Sequence, residues 1–242
     1  AFNQYRQNLI DTTQTIIQHM RSNNIDTAGM QALNERYGGK NIGRNREMLQ
    51  LIEPLYHAYI QNFATNNGID FPGMIVDAIS CVNNGSYRHP YKYVLIDEYQ
   101  DMSRPRYELI RALRLQHDFS LFCVGDDWQS IYRFAGSDLH LILDFDRIWR
   151  AWGPTRMFQI TTTRRFRQSL IDASGAFVMR DTNLYVKHLN NPSDKKDYSL
   201  KALGGHTEEE RFNVIVEQLR KLPKTASVLL LGRYRSDINL MI

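Results

Sequence analysis

The first seventy residues carry the hydrophobic spacing of amphipathic helices. Apolar side chains recur every three or four positions in residues 2–20, which places them on one face of a helix. Residues 46–63 repeat this spacing, with Pro54 predicting a kink or a restart and Gly68 predicting a stop. Residues 37–41 lie between the two patterns and are predicted to form a loop.

The pattern changes after Pro90, where short runs of Val, Leu, Ile and Phe alternate with helical spacing. The predicted strands are 93–96, 121–124, 157–160 and 228–231, and the predicted helices are 107–115, 139–145, 169–177 and 208–222. Fully apolar strands that alternate with helices indicate an α/β fold, with buried parallel strands covered by helices on both faces of the sheet.

Two segments interrupt these patterns and suggest how the chain is divided. Residues 152–154 (Trp-Gly-Pro) predict a break between two units, and residues 189–197 are polar enough for an exposed loop. We therefore predict a helical region at 1–72, a first α/β unit at 73–155 and a second at 156–242.

Composition and charge narrow the class of protein. The 242 residues are 43% hydrophobic and 23% charged, with a net charge of +4, which suits a polyanionic partner without requiring one. No apolar run reaches the roughly 18 residues of a membrane span, and the N-terminus lacks a signal-peptide layout, so we expect a cytoplasmic protein. Cys81 and Cys123 lie in apolar runs and are expected to be buried free thiols.

Two adjacent carboxylates, Asp97 and Glu98, directly follow the predicted strand 93–96. Open α/β sheets bind ligands at the carboxyl ends of their strands. Because Mg²⁺ needs only one or two carboxylates besides phosphate oxygens and water, Asp97 could hold the ion while Glu98 acts as the base. The alternative is an acidic helix start, in which Asp101 or Ser103 caps the helix that follows.

A second set of polar residues, at 125–130, follows the predicted strand 121–124. Charged residues therefore follow both predicted strands. Residues 97–101 (Asp-Glu-Tyr-Gln-Asp) resemble motif II of the superfamily-one DNA helicases of the UvrD/Rep kind, and residues 125–136 resemble their motif III. Within that family the pattern is most similar to the DNA helicase IV type. The resemblance implies RecA-like motor domains that use ATP and Mg²⁺. It also implies that 1–72 is a helical accessory region, that 73–155 is part of the first motor domain and that 156–242 is the start of the second.

For motif III, the resemblance implies that Gln129 contacts the γ-phosphate or its attacking water, while Tyr132 and Phe134 face single-stranded DNA. These residue types suit such roles. An amide donates and accepts hydrogen bonds, so its partners can change when a phosphate leaves. Aromatic faces stack on bases without reading sequence. The alternative for the two aromatic residues is packing in the core.

Residues 161–166 (Thr-Thr-Thr-Arg-Arg-Phe) resemble motif IV, which implies that Arg165 reaches the γ-phosphate from the second motor domain. The motif departs from the family at Arg164, where Tyr is common. The alternative is a solvated helix start that carries several arginines. Residues 228–236 resemble the next segment of that domain, which implies DNA phosphate contacts from Arg233 and Arg235.

The sequence contains no phosphate-binding loop of the form G-x-x-x-x-G-K-[ST]; residues 37–41 offer only Gly-Lys, with no predicted strand before them. We therefore interpret the chain as a fragment of an ATP-dependent DNA helicase that translocates on single-stranded DNA and unwinds duplex junctions. Residues outside it would supply this Walker A loop, and we expect the fragment alone to be inactive.

Two other functions are compatible with the same residues. One is a non-enzymatic module, related to helicases, that binds single-stranded DNA or another protein without ATP. The other is a metal-dependent nuclease that uses a set of four carboxylates, namely Asp97, Glu98, Asp126 and Asp127.

Overall fold

The computed structural model describes residues 2–192 and 201–232, and most of these residues are helical. The helices described there are α1 (Phe2–Ser22), α2 (Thr27–Tyr37), α3 (Ile42–Thr65), α4 (Phe71–Asn83), α5 (Arg104–Gln116), α6 (His140–Leu143), α7 (Phe145–Trp149), α8 (Gln168–Val178) and α9 (Glu208–Arg220). Strands β1 (Tyr93–Ile96) and β2 (Ser120–Cys123) pair in parallel, with Tyr93 opposite Ser120 and Ile96 opposite Cys123.

The chain divides into two compact units. The first unit comprises residues 1–159 together with 178–186, and the second comprises 160–177 together with 187–242. The parts predicted from the sequence differ from these units and are 1–72, 73–155 and 156–242. That division into an accessory region and motor domains stays a prediction.

The helical region forms its own core between α1 and α3. Ile17 and Met20, on the predicted apolar face of α1, are buried against Ile52 and Tyr56 of α3. The apolar face predicted for α3 included Leu51 and Leu55, and this part of the prediction is wrong because both side chains are exposed. Helix α3 runs through Pro54 as a single helix, so the chain does not restart there. Burial of Ile52 and Tyr56 on either side offsets the backbone hydrogen bond that proline cannot donate.

A charged network joins three helices of this region. The Asp70 carboxylate accepts two hydrogen bonds from the Arg21 guanidinium, at 2.9 and 2.7 Å, and one from the Tyr59 hydroxyl at 3.1 Å. Asp70 also caps α4 by accepting a hydrogen bond from the amide of Gly73 at 2.7 Å. Because both charged side chains are largely buried, this bidentate pair fixes the end of α1 against the start of α4.

The parallel pair β1 and β2 is connected by α5, and one face of the pair covers an aromatic core. The buried residues of this core are Tyr99, Met102, Tyr107, Leu141 and Trp149, and Ile96, Leu121 and Cys123 of the strands pack against them. The indole N–H of Trp149 donates to the Tyr99 hydroxyl at 3.0 Å, so both buried polar groups are satisfied. Burial raises the pKa of the Cys123 thiol to about 12.

The opposite face of the sheet is exposed, which corrects the prediction of strands covered on both faces. Tyr93 and Leu95 are each 73% exposed, and Phe122 is also exposed. The predicted strands 157–160 and 228–231 are wrong as well, because neither has strand structure. An apolar run becomes a strand only when a neighbour pairs with its backbone groups, and no strand pairs with either run among residues 2–192 and 201–232.

Smaller features also differ from the predictions. The predicted helix 139–145 is broken at Asp144 into α6 and α7, and residues 39–41 of the predicted loop form a short 3-10 turn. Cys81 is exposed rather than buried because it lies on the outer face of α4. No helix in the described part of the chain is both long enough and apolar enough to span a membrane.

The second unit contains α8 and α9, as predicted. Thr207 and Glu210 form a capping box at the start of α9, where each side chain bonds to the other residue's backbone amide. Thr162 and Asn190 form an isolated parallel bridge. The predicted loop 189–197 extends beyond residue 192, and its later part lies outside the described residues.

Replacing Asp70 by Asn should destabilise the protein in a pH-dependent way. Hydrogen bonds from Arg21 hold the pKa of the Asp70 carboxyl below its usual range, although burial opposes this shift. The ion pair therefore stabilises the fold above the unfolded pKa of about 3.9 and stops doing so as the pH falls through the lower folded pKa. We expect D70N to lower the free energy of unfolding by about 3 kcal/mol at pH 7, with a smaller difference near pH 3.

Urea denaturation at both pH values measures this effect, and E35Q is the matched control. Glu35 pairs with Arg46 on the exposed surface, so its loss should change the free energy of unfolding by less than about 1 kcal/mol. Equal effects of the two substitutions would contradict a special role for the Asp70 network.

Candidate functional site

The segments that follow β1 and β2 are joined by backbone hydrogen bonds. The amide of Val124 donates to the carbonyl of Ile96, and the amide of Tyr99 donates to the carbonyl of Val124, both at 2.8 Å. The parallel register therefore continues one step past the strands. It brings the carboxylates at 97–98 and the polar segment 125–130 to the same edge of the sheet.

The two candidate carboxylates, Asp97 and Glu98, are exposed at this edge. Asp97 accepts a hydrogen bond at Oδ1 from the amide of Glu98 at 2.9 Å. Glu98 has φ 50° and ψ 44°, the left-handed conformation, whereas the other non-glycine residues with positive φ in the described part of the chain are asparagines. A glutamate held there carries about 1–3 kcal/mol of strain, a feature that concentrates at functional sites.

A buried amide, Gln100, connects the ends of the two strands. Its side chain is 2% exposed, donates from Nε2 to Glu98 Oε2 at 2.6 Å, and accepts at Oε1 from the amide of Asp126 at 2.9 Å. Gly125 leaves room for it, because a Cβ at that position would lie 2.9 Å from Gln100 Oε1. Sequence reasoning assigned Gln100 no role, although it lies within residues 97–101, the segment that resembles motif II.

The same network continues into the segment that resembles motif III. The Asp126 carboxylate accepts hydrogen bonds from the amide of Trp128 at 3.1 Å and from Nε2 of Gln129 at 2.8 Å. Gln129 itself is exposed. Hydrogen bonds therefore connect Glu98 to Gln129 through Gln100 and Asp126.

Tyr185, which sequence reasoning missed, anchors the turn at residues 127–129. The carboxylate of Asp127, which is 3% exposed, accepts a hydrogen bond from the amide of Tyr185 at 2.7 Å. The indole of Trp128 donates to the carbonyl of Tyr185 at 2.9 Å, and the Tyr185 hydroxyl donates to the carbonyl of Leu143 at 2.9 Å. No sequence signal identifies this partner, because it lies 58 residues from Asp127.

The placement of Asp127 argues against the nuclease hypothesis. Its carboxylate is buried on Tyr185, whereas Asp97 and Glu98 are exposed. Within the described ranges, no three His, Cys, Asp or Glu side chains come together as a metal site. Because Mg²⁺ keeps several waters and needs few protein ligands, the exposed Asp97 still fits an ion that arrives with a nucleotide.

Tyr132 and Phe134 project into solvent, so core packing does not explain them. Their ring centroids lie 5.9 Å apart with an interplanar angle of 47°, and Phe134 is 73% exposed. Residues 133–135 form a 3-10 turn that ends at Gly136, whose φ of 93° favours glycine. The turn presents two neighbouring aromatic faces to solvent, an arrangement suited to stacking on bases.

The structure shows few contacts for Arg165, and two further candidate residues lie outside its described part. Arg165 is exposed in the second unit, and its amide donates to Thr163 Oγ1 at 3.4 Å. Arg164 and Arg165 are exposed just before α8, which begins at Gln168, as the alternative of a solvated helix start predicts. Arg233 and Arg235 lie outside the described residues. The alternative role for the segment after β1 was a helix start capped by Asp101 or Ser103. Ser103 is the N-cap residue of α5, but its side chain makes no capping hydrogen bond.

Comparison with known proteins identifies the class to which this fold and site belong. The family model of the UvrD/REP helicase N-terminal domain matches residues 2–149. The chain therefore belongs to the UvrD/REP helicase family, which confirms the resemblance of its motifs II and III.

Individual relatives are helicases by name. The chain is 32% identical over 190 residues to DNA helicase IV of Escherichia coli (strain K12), an alignment that covers 77% of this chain and 26% of that protein. It is 30% identical over 141 residues to the putative ATP-dependent DNA helicase YjcD of Bacillus subtilis (strain 168), covering 58% and 18%. It is 26% identical over 151 residues to PcrA of the same organism, covering 60% and 20%. The chain thus spans about a fifth to a quarter of these relatives.

The strained backbone at Glu98 can be tested by comparing two substitutions at that position. E98G and E98A both remove the carboxylate, but only glycine adopts a positive φ without strain. We expect E98G to be more stable than E98A by about 1 kcal/mol, measured by urea denaturation. At Glu108, inside α5, the order should reverse by a similar amount. If E98A is as stable as E98G, residue 98 is not held in the left-handed region.

Proposed function

We propose that this chain forms part of an ATP-dependent DNA helicase motor, in which ATP hydrolysis drives translocation on single-stranded DNA and the unwinding of duplex junctions. The observation that carries the proposal is the network from Glu98 through Gln100 and Asp126 to Gln129. It ends on the segment that carries the exposed aromatic pair, Tyr132 and Phe134. Groups suited to nucleotide chemistry and groups suited to DNA therefore share one short segment.

The proposed roles follow from the chemistry of each side chain. Asp97, an exposed carboxylate at the strand end, would hold Mg²⁺ directly or through water. Glu98 would orient and deprotonate the water that attacks the γ-phosphate, and Gln129 would respond to the presence of that phosphate. Arg165 is proposed as a further γ-phosphate contact because of its place in motif IV.

The proposed DNA contacts are aromatic and basic. Tyr132 and Phe134 would stack on successive bases, and Arg233 and Arg235 would contact phosphates without specifying sequence. We further propose that residues 73–155 belong to the first RecA-like motor domain and 156–242 to the start of the second, in a cytoplasmic protein. A Walker A loop outside residues 1–242 would complete the ATP site.

Replacing Glu98 by Gln in the full-length protein should abolish hydrolysis while leaving DNA binding intact. The amide keeps the size of the side chain and can no longer accept a proton from water, which lowers rates by about 10²–10⁴-fold in general base catalysis. Phosphate release with and without single-stranded DNA measures the effect. E108Q, on the surface of α5, should behave as wild type.

The same assay separates the helicase from the non-enzymatic alternative. A full-length protein that binds single-stranded DNA but releases no phosphate, with E98Q indistinguishable from wild type, would favour a binding module. Stimulation of phosphate release by DNA, lost in E98Q, would favour the motor.

Replacing Phe134 by Ala should weaken binding to single-stranded DNA. Stacking on one base contributes about 1–3 kcal/mol, so we expect Kd for an oligothymidine to rise by about 5- to 150-fold. Fluorescence anisotropy measures the change, and Y5A removes an equally exposed aromatic side chain on α1 as a control. An unchanged Kd in F134A would contradict the stacking role.

A further inference from the structure

Gln100 is an unusual residue to find buried between two strand ends. Its carboxamide makes two side-chain hydrogen bonds, to Glu98 Oε2 and from the amide of Asp126. An apolar side chain of similar volume would fill the same space but would remove both hydrogen bonds and leave the Asp126 amide without this acceptor. Packing alone therefore does not account for Gln100.

The two partners of Gln100 belong to the two functional segments of the site. Glu98 carries the proposed base, and Asp126 begins the segment that leads to Gln129, Tyr132 and Phe134. The Glu98 side chain is exposed, so it needs a hydrogen-bond partner to keep one orientation. The 2.6 Å bond from Gln100 supplies that partner.

We propose that Gln100 is a positioning residue that makes the orientation of the Glu98 carboxylate depend on the position of residues 126–134. DNA that stacks on this segment would hold the amide of Asp126 against Gln100 Oε1. The Nε2 group of Gln100 would then hold the Glu98 carboxylate in place for hydrolysis. The inference rests on the proposed function and adds to it the route by which DNA stimulates the ATPase.

The physical basis is that one rigid amide carries both hydrogen bonds. The planar carboxamide cannot move its oxygen without moving its nitrogen, so a shift at Asp126 is transmitted to Glu98. Gly125 lies directly beside the amide, because a Cβ at that position would be 2.9 Å from Gln100 Oε1. A displacement of about 1 Å in a catalytic group can change a rate by about 10²-fold, so a small shift suffices.

The first test replaces Gln100 by Met in the full-length protein. Met fills a similar volume without either hydrogen bond. We expect kcat in the presence of oligothymidine to fall by about 10- to 100-fold, the ratio of kcat with and without DNA to approach one, and KM for ATP to stay within about twofold.

The matched control is Q116M. Gln116 also bridges separate segments, donating to the carbonyl of Tyr87 at 2.7 Å and accepting from the amide of His89 at 3.2 Å, at the opposite end of α5. Q116M should lower stability but keep the stimulation by DNA. If Q100M retains wild-type stimulation while wild type and E98Q behave as proposed, the inference fails and the proposed function stands.

A second variant, Q100E, separates the two hydrogen bonds of residue 100. An ionised Glu at 100 keeps an acceptor for the Asp126 amide but has no N–H to donate to Glu98 Oε2. We expect Q100E to lose the stimulation of hydrolysis by DNA, as Q100M does. Wild-type stimulation in Q100E would overturn the inference.

Hydrogen exchange supplies a readout that does not depend on turnover. In wild type, oligothymidine should slow exchange in the peptide that contains residues 97–101, although the DNA contacts lie at 132 and 134. In Q100M that protection should disappear while oligothymidine still binds. Equal protection in both proteins would contradict the proposed link, whereas the absence of DNA binding and phosphate release in wild type would overturn the proposed function itself.

Discussion

The parallel pairing of β1 with β2 is the constraint on which the site depends. Helix α5 returns the chain so that both strands end at the same edge, with Ile96 opposite Cys123. Parallel strands that meet in this way place whatever follows them side by side. The carboxylates at 97–98 and the segment at 125–130 are therefore neighbours by topology, although they are nearly thirty residues apart.

Buried polar groups then hold exposed ones in place. Gln100 and Asp127 are almost completely buried, and each is hydrogen-bonded to a part of the chain remote in sequence. Glu98, Gln129 and Phe134 stay exposed within a few residues of these anchors. A satisfied polar network in a low-dielectric interior is directional, so it can fix the geometry of exposed groups in a way that apolar packing cannot. The strained backbone of Glu98 persists because the surrounding hydrogen bonds define it.

The sequence predicted the elements whose partners lie nearby, and it failed where the partner was remote. The runs 93–96 and 121–124 form strands because they pair with each other. The run 157–160 is equally apolar, but no strand pairs with it in the described residues. The motifs located Asp97, Glu98 and Gln129, because these residues follow predicted strands. Tyr185 and the role of Gln100 depend on side-chain contacts across the fold, which no local pattern encodes.

The helical region also contributes to the geometry of the turn that carries Phe134. Arg21, held by Asp70, fixes the last turn of α1, and the next residue, Ser22, lies beside Gly136. A Cβ at position 136 would lie 3.5 Å from the Ser22 side chain, so this end of α1 forms one wall of the turn that carries Phe134. The helical region therefore contacts the turn on one side. On the other side, the chain enters the turn from Asp126, which is hydrogen-bonded to Gln100. A buried ion pair in the helical region and a buried amide at the strand ends thus define one short segment from both sides.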